Sequence, residues 1–126
     1  MSYLSLDPEF LRQWIGRSEE HRDRLSPRQA RLMQTTLERP ASLTEGDPLP
    51  PLWHWLYFPV EVPLSGLGRE GHPQRGGFLP PVALPRRMWA GGRLVFHAPL
   101  PLGAEVQRRS TIKTLSVKEG RSGLLC

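Results

Sequence analysis

PLSGLGREGHPQRGGFLPPVALPRRMWAGGRLVFHAPLPLG, residues 63–103, decides how the rest of the chain is read. It carries most of the glycine and proline punctuation, two of the four histidines and the paired Arg86-Arg87. Proline fixes φ and removes a main-chain donor, so Pro80-Pro81-Val82-Ala83-Leu84-Pro85 is a stiff approach. Arg86 to Ala90 reads as one short turn of helix, Gly91-Gly92 as a hinge, and Leu94-Val95-Phe96 as the heart of a strand.

Downstream, three strand-like runs follow closely. Arg93–Ala98 is the first, and Ala104–Val117 the second and longest, with Val106, Arg108, Ser110, Ile112, Thr114 and Ser116 on one face. Lys118-Glu119-Gly120-Arg121 is predicted as a hairpin turn, and Ser122–Cys126 starts the third strand. That strand is still apolar at Leu124-Leu125, so it reads as cut in mid-sheet. Antiparallel hairpins with helix on one side define an α+β class.

Upstream, Asp7 is placed to cap a helix, with Pro8 at its first position and Glu9 at the positive end of its dipole. Phe10, Leu11, Trp14 and Ile15 share one face, Trp14 as a core anchor, and Gly16 ends the helix. Residues 17–24, RSEEHRDR, are too charged for a core and read as an edge strand or a loop, with His21 solvated. Ser26 and Gln29 have capping-box spacing; Ala30, Met33 and Leu37 form a core stripe that Arg39-Pro40 closes. Residues 40–51 read as a proline-rich linker with a turn at 45–48. Trp53 to Phe58 holds β-forming aromatics, apolar on both faces, which argues for buried extended chain rather than a base-stacking platform.

The chain has 126 residues, enough for one domain that buries roughly two-thirds of its surface. Its charge is lopsided. Residues 1–68 carry seven Arg and nine Asp or Glu, net −2; residues 69–126 carry eight Arg and two Lys against three Glu, net +7. A basic half suits an anionic partner such as a phosphate-bearing ligand, a membrane surface or nucleic acid, and arginine favours bidentate contact. A codon-usage origin for the arginines stands beside that reading. No nucleic-acid motif is present, so a nucleic-acid binder is set aside. Cys126 is the single cysteine, which excludes an internal disulfide. No apolar run approaches bilayer length and no signal-peptide pattern is visible, so a cytoplasmic protein is the expectation.

Three stretches, Pro50-Pro51-Leu52-Trp53-His54-Trp55, then Gly71-His72-Pro73-Gln74-Arg75-Gly76-Gly77-Phe78-Leu79-Pro80-Pro81, then Leu84-Pro85-Arg86-Arg87-Met88-Trp89-Ala90-Gly91-Gly92, carry a resemblance. They look like the N-terminal half of MaoC-like acyl-thioester dehydratases and hydratases, in the hydroxyacyl-thioester dehydratase type 2 and mesaconyl-CoA hydratase branch. The resemblance runs from about Pro48 to the end. It implies a hot-dog fold, an antiparallel sheet packed on a helix, here incomplete at the C-terminus. It divides the chain into a helical lead and linker, 1–47, and a partial hot-dog domain, 48–126. It also implies a hydro-lyase acting on a 2-enoyl or 3-hydroxyacyl thioester, with coenzyme A as part of the substrate and no further cofactor.

In that family a carboxylate and an imidazole in the C-terminal half divide the proton transfers. Here no aspartate occurs between Arg69 and Cys126, so no catalytic residue is assigned to this chain. The expectation is an N-terminal half, inactive alone, with a second hot-dog domain or subunit supplying the Asp/His pair in a dimeric arrangement. Candidate substrate-binding residues are Arg86 and Arg87, for coenzyme A phosphates or partner carboxylates, Trp89 for the acyl pocket, and Gly91 and Gly92 for close backbone approach. Their competing readings are a helix-end salt bridge for the arginines, a core position for Trp89, and a bulge or hinge for the glycines. Gly66-x-Gly68-x-x-Gly71 formally fits a dinucleotide-binding loop but lacks the flanking strand, helix and acidic residue. His72 is a turn residue, and His97 a strand histidine without a catalytic role; no metal site is expected. A thioester- or partner-binding module without chemistry is the alternative function.

Overall fold

The computed structural model describes residues 7–121 and 123–126. The start of the expected third strand at Ser122 lies outside the described residues. The chain forms two compact units, one from residues up to 19 with 61–91 and 109–126, the other from residues 20–60 and 92–108.

In the first unit, helix α1 spans Pro8–Leu11 and continues as a 3-10 turn, Arg12–Trp14. Asp7 accepts the Glu9 N–H at 3.0 Å, satisfying a donor the helix leaves orphaned. Leu11 and Trp14 are buried, and the Phe10 ring meets Trp14 edge-on at 5.4 Å. The indole N–H donates to the Gly77 carbonyl at 3.0 Å, so this tryptophan is both packed and polar-satisfied. Gly16, at φ +87°, reverses the chain as expected, whereas Ile15 is exposed.

Residues 18–24 settle as a strand. Charged Ser18–Arg24 is β1, and it pairs with β2, Glu105–Thr111, in a two-stranded ribbon. Within the second unit Glu20 lies by Gln107 and Leu25 by Ala104, so the strands are antiparallel. β2 is half the predicted length: Ile112 still makes main-chain hydrogen bonds to Gly16 and Arg17, but residues 112–117 are not strand. β3, Lys118–Gly120, pairs antiparallel with β4, Gly123–Leu125. The hairpin is therefore real, but its turn falls two residues later than read: Lys118–Gly120 is strand, and Gly120 already faces Gly123.

Helix α2, Pro27–Thr36, belongs to the second unit. The expected capping box does not form: Ser26 makes no side-chain cap, and the Gln29 amide instead donates to the Leu56 carbonyl at 3.1 Å. Tertiary contact outcompetes the local one. The helix also ends before Arg39-Pro40. Glu38 takes a left-handed φ of +60°, its N–H reaches Thr35 O and that of Arg39 reaches Gln34 O, the paired bonds of a Schellman stop. Ala30 is buried and Leu37 is exposed, so the core stripe is shorter than its period implied.

The proline-rich 40–51 stretch is no free linker. Gly46 N–H and Leu49 N–H donate to Leu102 and Leu100, Leu102 N–H donates back to Asp47, and Pro48 bridges Pro101. This ladder places Leu49 and Leu102 in a core with Leu25, Ala30 and Tyr57. Trp53–Leu56 is a 3-10 turn rather than a strand, entered through Leu52 at φ +75°. Of its aromatic run Tyr57 alone is buried, and Trp55 is exposed. The molecule is thus α+β with antiparallel strands and few helices. None of its described helices is long and apolar enough to cross a membrane.

Candidate functional site

The five residues singled out from sequence are consecutive or nearly so, on an irregular, exposed stretch. No helical turn forms at 86–90. The helix-end salt bridge read for Arg86 and Arg87 therefore has no helix to belong to, and among the described residues neither forms an ion pair. Trp89 is 72% exposed, which overturns its core reading. A Cβ on Gly91 would meet nothing, so that glycine is not required by packing. Arg93–Ala98 forms no strand, and His97 lies in a bend.

The glycine loop before this stretch builds a cleft that the sequence reading missed. Gly68 N–H donates to His72 O at 2.7 Å, Gln74 N–H to Gly66 O at 2.8 Å, and Leu67 bridges Pro73. Gly71 makes the turn at φ +83°, with its N–H on Gly68 O. No helix follows, so the dinucleotide reading stays rejected, and His72 sits in the turn as expected. Gly66 is needed for space, since a Cβ there would stand 2.6 Å from Val62 Cγ1. The cleft, about 630 Å³, is lined by Gly68, Arg69, Glu70, Pro73, Gln74, Arg75 and Pro85. The Arg75 guanidinium is tethered to Leu84 O at 2.7 Å. The Cys126 thiol is pushed up by burial, with the Arg75 charge opposing. The signal was the Arg69–Arg75 spacing inside a loop of five glycines.

In the second unit a polar latch holds the aromatic turn. Tyr57 donates its hydroxyl to Ser26 O at 2.6 Å, and Asp23 accepts the Phe58 N–H at 2.8 Å. Burial, then the nearby Asp23 charge, raise the Tyr57 pKa; a backbone hydrogen bond to Ala30 opposes. Phe58 sits at a left-handed φ of +58° with the Arg108 guanidinium 5.0 Å from its ring centroid. Next to the latch, the His54 ring meets Trp55 at 6.0 Å and Phe96 at 6.4 Å, both edge-on. Among the described residues, no group of three or more His, Cys, Asp or Glu side chains is placed to hold a metal ion.

The hydroxyacyl-thioester dehydratase type 2 model matches residues 52–125, and the chain belongs to that family. It is also 50% identical over 113 residues to the mesaconyl-C(4)-CoA hydratase of Chloroflexus aurantiacus, a stretch covering 89% of this chain. The chain spans 40% of the length of that relative.

Proposed function

We propose that this chain is the N-terminal, non-catalytic half of an acyl-thioester hydratase or dehydratase, which adds or removes water at a 2-enoyl or 3-hydroxyacyl thioester. The observation that carries it is the 50% identity to a CoA hydratase, in a chain with no aspartate from Arg69 onward. Hydration next to a thioester needs one group to take a proton and another to give one. A second hot-dog domain or subunit supplies that carboxylate and imidazole. Residues 48–126 form the partial hot-dog domain and 1–47 its lead. Arg86 and Arg87 face coenzyme A phosphate or the partner's carboxylates; Trp89 lines the acyl pocket, and Gly91 and Gly92 let the main chain approach. The exposure of Arg86 and Arg87 supports this, because charges that take a ligand's phosphate or a partner's carboxylate must be reachable.

The test is complementation. The chain is mixed with the part of the Chloroflexus hydratase outside the matched stretch, and hydration of mesaconyl-C(4)-CoA is followed by loss of enoyl absorbance. Turnover by the mixture, absent from either piece alone, supports the reading. Equal turnover by the chain alone would sink it. If the chain retains an acyl-CoA on an affinity column while no mixture turns over, the binding-module alternative takes its place.

A further inference from the structure

Residues 69–87 hold four arginines and a single carboxylate, Glu70. Two of the four, Arg69 and Arg75, line the glycine-loop cleft, whose volume of about 630 Å³ is that of a small-molecule site. The loop is closed by its own main chain, from Gly68 to His72, Gln74 to Gly66 and Gly71 to Gly68. Pro73 and Pro85 stiffen its walls. The cleft is therefore shaped without a ligand, and filling it costs little ordering.

Arg75 is half-buried and fixed through Nη2 on the Leu84 carbonyl at 2.7 Å. Its other N–H groups have no acceptor among the described residues, and the Arg69 side chain forms neither hydrogen bond nor ion pair there. A guanidinium carries five N–H donors, so a tethered one still offers a fork to two oxygens. Glu70 is the opposing charge. Its carboxylate folds back over Gly68, where a Cβ would stand 3.4 Å from Oε1, and it pairs with neither arginine. The Cys126 thiol, which feels the Arg75 charge, is pushed up by burial; it stays neutral at pH 7 and leaves that charge uncompensated.

We propose that this cleft is an oxyanion subsite, in which Arg75 grips and Arg69 attracts one anionic group of the thioester substrate. The substrate comes from the proposed function, on which this rests. The group is a phosphate of coenzyme A or a carboxylate borne by the acyl part, since both offer a guanidinium two oxygens side by side. Arg86 and Arg87 are not in the cleft lining, so the subsite is separate from them.

The test is a titration of the 15N-labelled chain with coenzyme A and, separately, with succinate, following the arginine Nε–H signals. A saturable shift of the Arg75 signal with either ligand supports the subsite; the ligand that produces it identifies phosphate or carboxylate as the group held. Arg69→Ala should weaken that binding by about 2- to 5-fold, with the loss shrinking at high salt. Arg75→Lys keeps the charge but loses the fork, and should weaken it by roughly 10-fold or more. Glu70→Gln should tighten it by about 2- to 5-fold, a gain that damage to the loop would not give. Arg69 and Glu70 are exposed, so their variants test the site even where Arg75→Lys disturbs the loop. An Arg75 signal unmoved by both ligands, or binding that the Arg69 and Glu70 variants leave unchanged, overturns the subsite. In the complementation mixture, turnover whose KM ignores Arg69→Ala and Glu70→Gln likewise overturns it and leaves the function standing. A saturable Arg75 response to coenzyme A, with no turnover from any mixture, supports the subsite and removes the hydratase reading.

Discussion

The Asp23 carboxylate accepts the main-chain N–H of Phe58 at 2.8 Å, holding a bulky residue at φ +58°, a region it ordinarily avoids. The same carboxylate, through its other oxygen, accepts the Arg24 N–H at 2.8 Å. One side chain from an otherwise solvated strand thus locks the aromatic turn. Asp23→Ala is expected to cost about 1–3 kcal/mol, and Asp23→Asn less, because the amide oxygen can still accept one bond. Urea midpoints of the two variants check this; equal midpoints for Ala and wild type would remove the latch.

Tyr57 gives a pH dependence of known sign. Its folded pKa lies above the ordinary 10.0, through burial first and the Asp23 charge second. Between the two values the unfolded chain has lost the proton and the folded chain has kept it. The stabilisation is complete below pH 10 and is lost as pH rises through the folded pKa. Titration by absorbance at 295 nm in a Tyr3→Phe background should give a midpoint above 10, lowered by Asp23→Asn. A midpoint that Asp23→Asn leaves in place would remove the charge as a cause.

At the start of α2 the two polar residues exchange the importance their spacing implied. Ser26→Ala should change stability by less than about 0.5 kcal/mol, because no cap bond is lost. Gln29→Ala should cost about 1 kcal/mol, through the Leu56 carbonyl left unpaired. Thermal melts of both variants decide, and the reverse order would restore the capping box.

At the other end of the same helix, Glu38 occupies the left-handed position that glycine favours. Glu38→Gly should stabilise the chain by about 0.5–1 kcal/mol, and Glu38→Val should destabilise it. Denaturant midpoints would show it.

Arg86 and Arg87 are exposed, so each charge is worth little in isolation. Arg86→Ala and Arg87→Ala should each weaken acyl-CoA binding by about 2- to 5-fold, with the loss shrinking at high salt. Calorimetric titration at two salt concentrations checks this. A salt-independent loss would point to packing instead of phosphate contact.

Local signals in the chain were legible where the physics is local. Asp7-Pro8 at a helix start, Gly16 reversing the chain and the alternation through Glu105–Thr111 depend on neighbours a few residues away, and each formed. The family was legible too, because its motifs are long. The sequence alone therefore determined the α+β class, the helix starts and the membership. Tertiary contact decided the rest. Gln29 left its cap for a carbonyl 27 residues away, Trp53–Leu56 coiled into a 3-10 turn, and the 40–51 stretch became a ladder with 100–102. It also decided that Arg93–Ala98, strand-like by composition, stays unpaired among the described residues, since a strand needs a partner for its N–H and C=O groups and no periodicity within one segment can supply it.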